Sequence, residues 1–194
     1  MTTLRLALPG LPPDYDPAKS QWMTPPDLAR RIALWAGITR GDRVLEPSAG
    51  IGALALAARE RGAEVTCVEM DRALVPTLEA HGLLVINKDF LETTVSSHHL
   101  ALMNSPFEGG QTELHIVHAL KFAPRVVCIA QLSLLAGQGR KSLLWDKHTL
   151  KRLVILSARP RFSGSKGTAE RDFGIFEVTR GRENDTPLVG VTWW

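Results

Sequence analysis

The chain has 194 residues, of which 44% are hydrophobic and 22% are charged, a composition typical of one globular domain. We predict a single domain over residues 1–194, and we find neither an apolar run of membrane-spanning length nor a signal peptide. The net charge of +3 is uneven, since residues 125–194 hold 12 Lys or Arg against 6 Asp or Glu, while residues 1–124 hold 11 against 14. The basic C-terminal third favours a polyanionic partner, although a solvated basic face accounts for the charge equally well.

The cysteines and histidines indicate an intracellular chain without a metal site. Cys67 and Cys128 both lie in apolar, strand-like segments, which predicts a reduced, cytoplasmic protein without disulfides. His115 and His118 are three residues apart on a predicted helix, but no third ligand is apparent. We therefore predict no bound metal and interpret these histidines as surface or packing residues.

Strand-like and helix-like segments alternate along most of the chain. Residues 1–22 are rich in proline and predict an irregular N-terminal arm, and Pro25-Pro26-Asp27 opens a helix that runs to about Ala36. Further helices are predicted at 51–61, 72–81 and 108–122, and strands at 43–47, 64–69, 83–87, 100–103 and 125–132. This order predicts an α/β fold with a doubly wound, mostly parallel sheet and an antiparallel C-terminal strand.

The regular alternation of strand-like and helix-like segments ends after Gln138. A helix over about 140–150 is followed by strands at 153–157 and 173–179, which are separated by a basic loop, residues 158–172. We predict that the cationic side chains of this region contact nucleic-acid phosphates, namely Arg140, Arg159, Arg161, Lys166 and Arg171. Trp193 and Trp194 at the end of the chain are consistent either with packing or with self-association, and the oligomeric state stays open.

A glycine-containing turn after the first strand has the features of a cofactor loop. It reads Glu46-Pro47-Ser48-Ala49-Gly50-Ile51-Gly52, and glycines there let the backbone approach a ligand beside the first turn of a helix. Glu69 ends the next strand, where a carboxylate can bridge the two hydroxyls of a ribose. Asp89 and Phe90 end the third strand, where a polar atom and a ring can hold an adenine. The series predicts a nucleotide-type cofactor.

The turn lacks the third glycine of nicotinamide-binding loops and the lysine of a P-loop. It resembles instead the turn of the class I S-adenosylmethionine-dependent methyltransferases, which have a Rossmann-like fold, and the segment 21–26 resembles their Thr-Pro element ahead of the loop. The resemblance implies that the loop surrounds the methionine part of the cofactor. The residues that it assigns to S-adenosylmethionine are Met23, Thr24, Pro25, Glu46, Pro47, Ser48, Ala49, Gly50, Gly52, Glu69, Met70, Asp89 and Phe90.

The tetrapeptide Asn104-Ser105-Pro106-Phe107, directly after the fourth strand, is similar to the Asn/Asp-Pro-Pro-Tyr/Phe motif of methyltransferases that modify amine or amide nitrogens. Together with the later segments around Arg140 and Arg159, it resembles small phage and prophage DNA adenine-N6 methyltransferases. By that resemblance the Asn104 side-chain oxygen and the Ser105 carbonyl each accept one N–H of the target amine. Pro106 stiffens the turn and Phe107 stacks on the base.

We therefore expect a methyltransferase that acts on the N6 amine of adenine, more readily in DNA than in RNA, after the base leaves its stack. Ser105 replaces a proline of the motif, and RNA adenine dimethylases also tolerate a residue other than proline there, so RNA stays open. The further alternatives are a protein glutamine amide as substrate and a methyltransferase-like binding module without turnover.

Overall fold

The computed structural model describes residues 22–162, 171–181 and 191–194. The predicted N-terminal arm, except for Trp22, therefore lies outside the described residues. So does the middle of the predicted basic loop, residues 163–170, which includes Lys166.

The described strands form one sheet with the order β3-β2-β1-β4-β5-β7-β6-β8. Their bounds are β1 Arg43–Glu46, β2 Glu64–Val68, β3 Leu84–Ile86, β4 Leu100–Met103, β5 Arg125–Gln131, β6 Thr149–Ile155, β7 Phe173–Thr179 and β8 Val191–Trp193. Strands β1 to β5 run parallel, whereas β7 is antiparallel to both of its neighbours, β5 and β6. This arrangement confirms the predicted mostly parallel sheet with antiparallel pairing at its C-terminal side.

Helices cover both faces of the sheet. Their bounds are α1 Pro26–Trp35, α2 Ala53–Glu60, α3 Val75–Ala80 and α4 Gln111–Ala119, with a single turn Gln138–Arg140 that continues as a π-helical turn, Lys141–Trp145. Helix α1 begins with a proline at its first position, where the missing N–H costs no hydrogen bond, and buries Ala29, Ile32 and Ala33 on one face.

The side chains of β4 point alternately to the two faces of the sheet and so contribute to two layers of the core. Leu100 and Leu102 pack in the cluster that contains α1 and α2, while Ala101 and Met103 pack in the cluster that contains α4. Successive side chains of a strand point to opposite faces, so a strand that is buried on both faces has to be apolar throughout. All four residues of β4 are buried.

The C-terminal part differs from the sequence-based prediction. Strand β6 starts at Thr149 rather than at 153 and so includes the charged residue Arg152. Arg152 is accommodated in the strand because it lies over the ring of Trp35 and pairs with the buried Glu177. Strand β8 was not predicted. The backbone of Trp194 bonds to Ile155 and Ser157, and its ring lies edge-on to Trp35 at 6.3 Å, so Trp194 is a packing residue.

The parallel strands place their carboxyl ends along one edge of the sheet. The chain order reverses beside β1, which lies between β2 and β4. Such a reversal opens a crevice at the carboxyl ends, and ligands of α/β proteins bind there. The turns after β1, β2, β3 and β4 meet at this edge.

Gly52, which precedes α2, has a φ of +81°, and a Cβ there would lie 2.8 Å from Leu78 Cδ2 and 3.1 Å from Leu83 Cδ1. We expect Gly52→Ala to lower the free energy of unfolding by about 1 kcal/mol through backbone strain and by about 1 kcal/mol or more through overpacking. Urea unfolding measures the loss.

Gly37→Ala is the matched control, because Gly37 has a φ of +67° and no atom within 4 Å of an added Cβ. It should show the strain alone. Equal losses for the two variants would contradict the packing argument for Gly52.

Candidate active site

A cavity of about 530 Å³ opens at the carboxyl edge of the sheet. This volume is in the range of small-molecule sites. All four residues of the Asn104–Phe107 motif line it, and so do all but two of the predicted cofactor residues, namely Met23, Thr24, Glu46, Pro47, Ser48, Ala49, Gly50, Glu69, Met70, Asp89 and Phe90. The two predicted elements, which are far apart in sequence, thus share one cavity.

Gly50 connects the cofactor loop to two neighbouring elements. Its φ is +56°, and a Cβ there would lie 2.9 Å from the Met23 sulfur. Its N–H donates to Glu69 Oε2 at 2.7 Å, and the N–H of Ala49 donates to the Val68 carbonyl at 3.1 Å. The loop after β1 is therefore held against the end of β2, with its backbone facing the cavity.

Glu69 is a buried hydrogen-bond acceptor at the end of β2. Its Oε1 accepts the N–H of Asp71 at 2.8 Å, while Oε2 accepts that of Gly50. Burial raises the pKa of Glu69, and the two backbone donors oppose that rise. Each carboxylate oxygen has more than one lone pair, so Glu69 can still accept bonds from ligand hydroxyls.

Glu46, at the end of β1, is 2% exposed, and its Oε2 accepts the N–H of Ala55 in the first turn of α2 at 2.8 Å. Burial raises the pKa of Glu46 well above its usual range, and the nearby Glu69 raises it further, although the bond from Ala55 acts in the other direction. Two buried carboxyl groups therefore flank the cofactor loop.

The side chain of Asn104 is clamped by the segment that precedes α1. Its Nδ2 donates to the Trp22 carbonyl at 2.6 Å and to the Thr24 hydroxyl oxygen at 3.1 Å. A carbonyl accepts only, so this pairing fixes which end of the amide is the nitrogen. The Oδ1 of Asn104 is then an acceptor, and it is buried without a hydrogen-bond partner among the described residues.

The other motif residues are fixed by packing. The Pro106 carbonyl accepts the hydroxyl of Thr112 in α4 at 2.9 Å. The ring of Phe107 lies 5.0 Å from Phe173 and 6.0 Å from both Trp22 and Phe162. Trp22 and Phe162 were not predicted as site residues, although each lies in a segment that carried the family resemblance.

The far end of the cavity holds the residues after β3. Asp89 Oδ1 accepts the N–H of Leu91 at 2.9 Å and so caps a short helical turn. The ring of Phe90 is 4.8 Å from His118 and 5.6 Å from His115. Both histidines pack as predicted, but His115 also lines the cavity, together with Lys88 and Gln111. Burial lowers the pKa of His115, which favours its neutral form.

Two predicted cofactor residues do not line the cavity. Gly52 lies between Leu78 and Leu83, so its lack of a side chain serves packing against α3. The carbonyl of Pro25 accepts the N–H of Ala29 at 2.9 Å and starts α1.

The predicted phosphate-binding residues have different surroundings. Arg140 pairs with the buried Glu113 and donates to the Ala136 carbonyl at 3.1 Å, so its charge has an internal partner. Arg159 pairs with Asp172 at 3.1 Å on the surface. Arg161 and Arg171 are exposed. The sequence could not reveal the partner of Arg140, since Glu113 is 27 residues away.

Within the described ranges, no cluster of three or more His, Cys, Asp or Glu side chains is placed to hold a metal ion. Among the helices of those ranges, none has the length and apolar character needed to cross a membrane.

The family of proteins described as ribosomal RNA adenine dimethylases matches residues 17–131. A curated relative, the ribosomal RNA small subunit methyltransferase A of Mycobacterium bovis, is 37% identical over 91 residues, which cover 40% of this chain and 29% of the relative. The chain thus matches less than a third of that relative's length.

Solved structures share the fold. A putative RNA methyltransferase from Pyrococcus horikoshii superposes with a TM-score of 0.74 and 20% identity, over 91% of this chain and 95% of the other. A modification subunit of a putative type I restriction enzyme from Vibrio vulnificus gives 0.66 and 17%, over 84% and 45%. At such low identity the likeness establishes the fold alone.

The raised pKa of Glu46 predicts a pH-dependent stability. Between the unfolded-state pKa of a glutamate, about 4.5, and the higher pKa in the folded state, the folded protein binds more protons, so its stability falls as pH rises. Glu46→Gln keeps an acceptor for Ala55 and removes this titration. We expect the variant to melt at a higher temperature than the wild type at about pH 8, with a smaller difference at about pH 5.

The control is Glu64→Gln, since Glu64 is exposed on β2. It should follow the wild type at every pH in thermal-unfolding scans. A Glu46→Gln variant with the same pH slope as the wild type would refute the prediction.

Proposed function

The chain belongs to the ribosomal RNA adenine dimethylase family, and from this membership we propose that it transfers a methyl group from S-adenosylmethionine to the N6 amine of an adenine in RNA. Membership confirms the predicted enzyme class, a class I S-adenosylmethionine-dependent methyltransferase, and its cofactor. The substrate and the roles of individual residues are part of the proposal.

The family match favours RNA over the DNA substrate that the sequence suggested. That expectation rested on a likeness to phage DNA methyltransferases. The match covers both the cofactor loop and the Asn104–Phe107 motif, and it is to a family of RNA-modifying enzymes. DNA therefore becomes the alternative substrate, and RNA, the earlier alternative, becomes the leading one.

The observation that carries the proposal is the clamped amide of Asn104. Its nitrogen is used within the protein, and its oxygen is a buried acceptor without a partner at the wall of a ligand-sized cavity. An unpaired buried acceptor is costly, about 1–3 kcal/mol, so the site favours a ligand that brings an N–H donor. An amino group supplies one.

The residues of the cavity also fit S-adenosylmethionine. Glu69 offers carboxylate oxygens to ribose hydroxyls, and Gly50, which lines the cavity, lets the loop lie against Met23 because it has no Cβ. Asp89 and Phe90 offer a polar atom and a ring for the adenine. When bound, S-adenosylmethionine supplies an electrophilic methyl group on a sulfonium centre.

The chain's own part in the reaction is to hold the amine. The Asn104 Oδ1 accepts one N–H and the Ser105 carbonyl accepts the other, which favours a pyramidal nitrogen with an available lone pair. Such alignment and charge stabilisation supply several kcal/mol in enzymes of known mechanism. The exposed part of Phe107 stacks on the extruded base, at about 1–3 kcal/mol per base.

A mechanism with a cysteine nucleophile, as in methylation of a ring carbon, does not suit the chain. Cys67 and Cys128 are free but fully buried, and neither lines the cavity. Burial raises the pKa of Cys128 to about 12 and raises that of Cys67 as well. A thiolate is the reactive form, so neither side chain is placed to attack a base.

The proposal is tested by offering the purified protein labelled S-adenosylmethionine with ribosomal RNA, single-stranded DNA, duplex DNA or a glutamine-containing peptide. Mass spectrometry of the digested products identifies the methylated group. We expect N6-methylated adenosine from the RNA. Methylation of DNA or peptide but not RNA would refute the proposed substrate, and no transfer to any of them would favour a binding module.

Removal of the acceptor should abolish most of the activity. We expect Asn104→Ala to lower kcat about 100- to 1000-fold, the typical loss when one group that stabilises the transition state is removed. Its Kd for S-adenosylmethionine, measured by calorimetry, should change little. A comparable loss of cofactor affinity would instead assign Asn104 to the cofactor site.

Thr24 should act through Asn104, because its hydroxyl oxygen accepts one of the two bonds from Nδ2. Loss of one hydrogen bond of about 1 kcal/mol predicts a fall in kcat of roughly fivefold for Thr24→Val, with an unchanged KM for the cofactor. Thr24→Ser, which keeps the hydroxyl, should retain the kcat of the wild type. A higher KM for S-adenosylmethionine in Thr24→Val would show a direct cofactor contact instead.

A further inference from the structure

Ser105 has a second polar atom that the proposed mechanism does not use. Its Oγ is buried without a hydrogen-bond partner among the described residues, and the residue is 2% exposed. Ser105 lines the same cavity as Asn104, whose Oδ1 is also unpaired. Buried polar groups in native proteins nearly always have a partner, so two unpaired atoms on consecutive residues of one cavity lining point to a ligand that contacts both.

The two unpaired atoms differ in what they can do. The Asn104 oxygen can only accept, because the amide nitrogen is already bonded to Trp22 and Thr24. A serine hydroxyl can donate as well as accept. Two consecutive residues of the cavity lining therefore carry an unpaired acceptor and an unpaired potential donor. A proline at position 105, as in the motif that this segment resembles, would offer no side-chain donor.

Adenine has the complementary pair of groups. Its N6 amine donates, and the ring nitrogens next to it, N7 on one side and N1 on the other, accept. Guanine has the acceptor O6 where adenine has the amine, so it would oppose the Asn104 oxygen. Among purines, an acceptor beside a donor thus selects adenine.

The position of Ser105 favours a contact to the substrate rather than to the nucleoside part of the cofactor. Glu69 and Asp89 follow β2 and β3, which lie two and three strands from β4 in the sheet. With strands about 4.8 Å apart, these residues are roughly 10–14 Å from the end of β4. Ser105 follows β4 and is the neighbour of Asn104.

We propose that the Ser105 hydroxyl donates a hydrogen bond to the ring nitrogen beside the target amine of adenine, so that Ser105 helps select the base that Asn104 holds. This inference rests on the proposed adenine-N6 methyltransferase function. It concerns the side chain, whereas the role of the Ser105 carbonyl at the amine is part of that function.

The test combines one variant with substrates that lack single ring atoms. Four RNA oligonucleotides, identical except at one target nucleoside, carry adenosine, 1-deazaadenosine, 7-deazaadenosine or, as a matched control, 3-deazaadenosine, whose missing nitrogen is far from the amine. We expect the wild type to lose about tenfold in kcat/KM with either the 1-deaza or the 7-deaza substrate and little with the 3-deaza substrate.

Ser105→Ala should lose about tenfold on adenosine and show no further loss on the analogue to which the wild type is sensitive. The altered ring also changes the reactivity of the amine, but that effect is common to both enzymes and cancels in the comparison. If each analogue lowered kcat/KM by the same factor in the wild type and in Ser105→Ala, the role of Ser105 would be overturned and the proposed function would stay intact.

Two further measurements separate other roles. Ser105→Ala removes an unpaired hydroxyl, so its melting temperature without ligands should not fall; a lower value would mean an internal partner and overturn the proposal. The proposal would also be overturned if Ser105→Ala raised the KM for S-adenosylmethionine while each analogue lowered kcat/KM as much as in the wild type. That result would assign the hydroxyl to the cofactor. Absence of adenine methylation by the wild type would overturn the proposed function together with this inference.

Discussion

The clamp on Asn104 is the interaction on which the rest of the site depends. Its side-chain nitrogen reaches the Trp22 carbonyl, 82 residues earlier in the chain, and the Thr24 hydroxyl. Helix α1, which starts at Pro26, packs in one core cluster with α2, and β4 pairs with β1, so the fold brings the segment before α1 to the end of β4. The orientation of this amide leaves its oxygen, an acceptor, buried without a partner among the described residues.

The cofactor side of the cavity is organised by buried carboxyl groups rather than by glycines alone. Glu69 receives backbone N–H groups from two turns, and Glu46 receives one from the first turn of α2. Burial of these acids is unfavourable for their charged forms, which raises the pKa of both. The bond from the Gly50 N–H to Glu69 holds the loop against the end of β2, where Gly50 has a left-handed conformation beside Met23.

The choice between RNA and DNA does not follow from the shape of the cavity. The Asn104 oxygen is offered to an amine whatever the sugar, and solved structures of similar fold include both a putative RNA methyltransferase and a modification subunit of a putative type I restriction enzyme. The family match, which spans residues 17–131, is what favours RNA. The basic residues contribute less than their number suggests, because Arg140 is paired with the buried Glu113 and Arg159 with Asp172.

The sequence by itself determined the parallel sheet, the cofactor loop and the Asn104–Phe107 motif, because apolar strands, turn glycines and a strand-end motif are local patterns. Only the tertiary structure decided how side chains distant in sequence are paired. It turned Gly52 towards Leu78 and Leu83 instead of the cavity, joined Trp22 to Asn104, and added β8 through the packing of Trp194 on Trp35. These contacts depend on which residues the folded sheet brings together, and no short stretch of sequence carries that information.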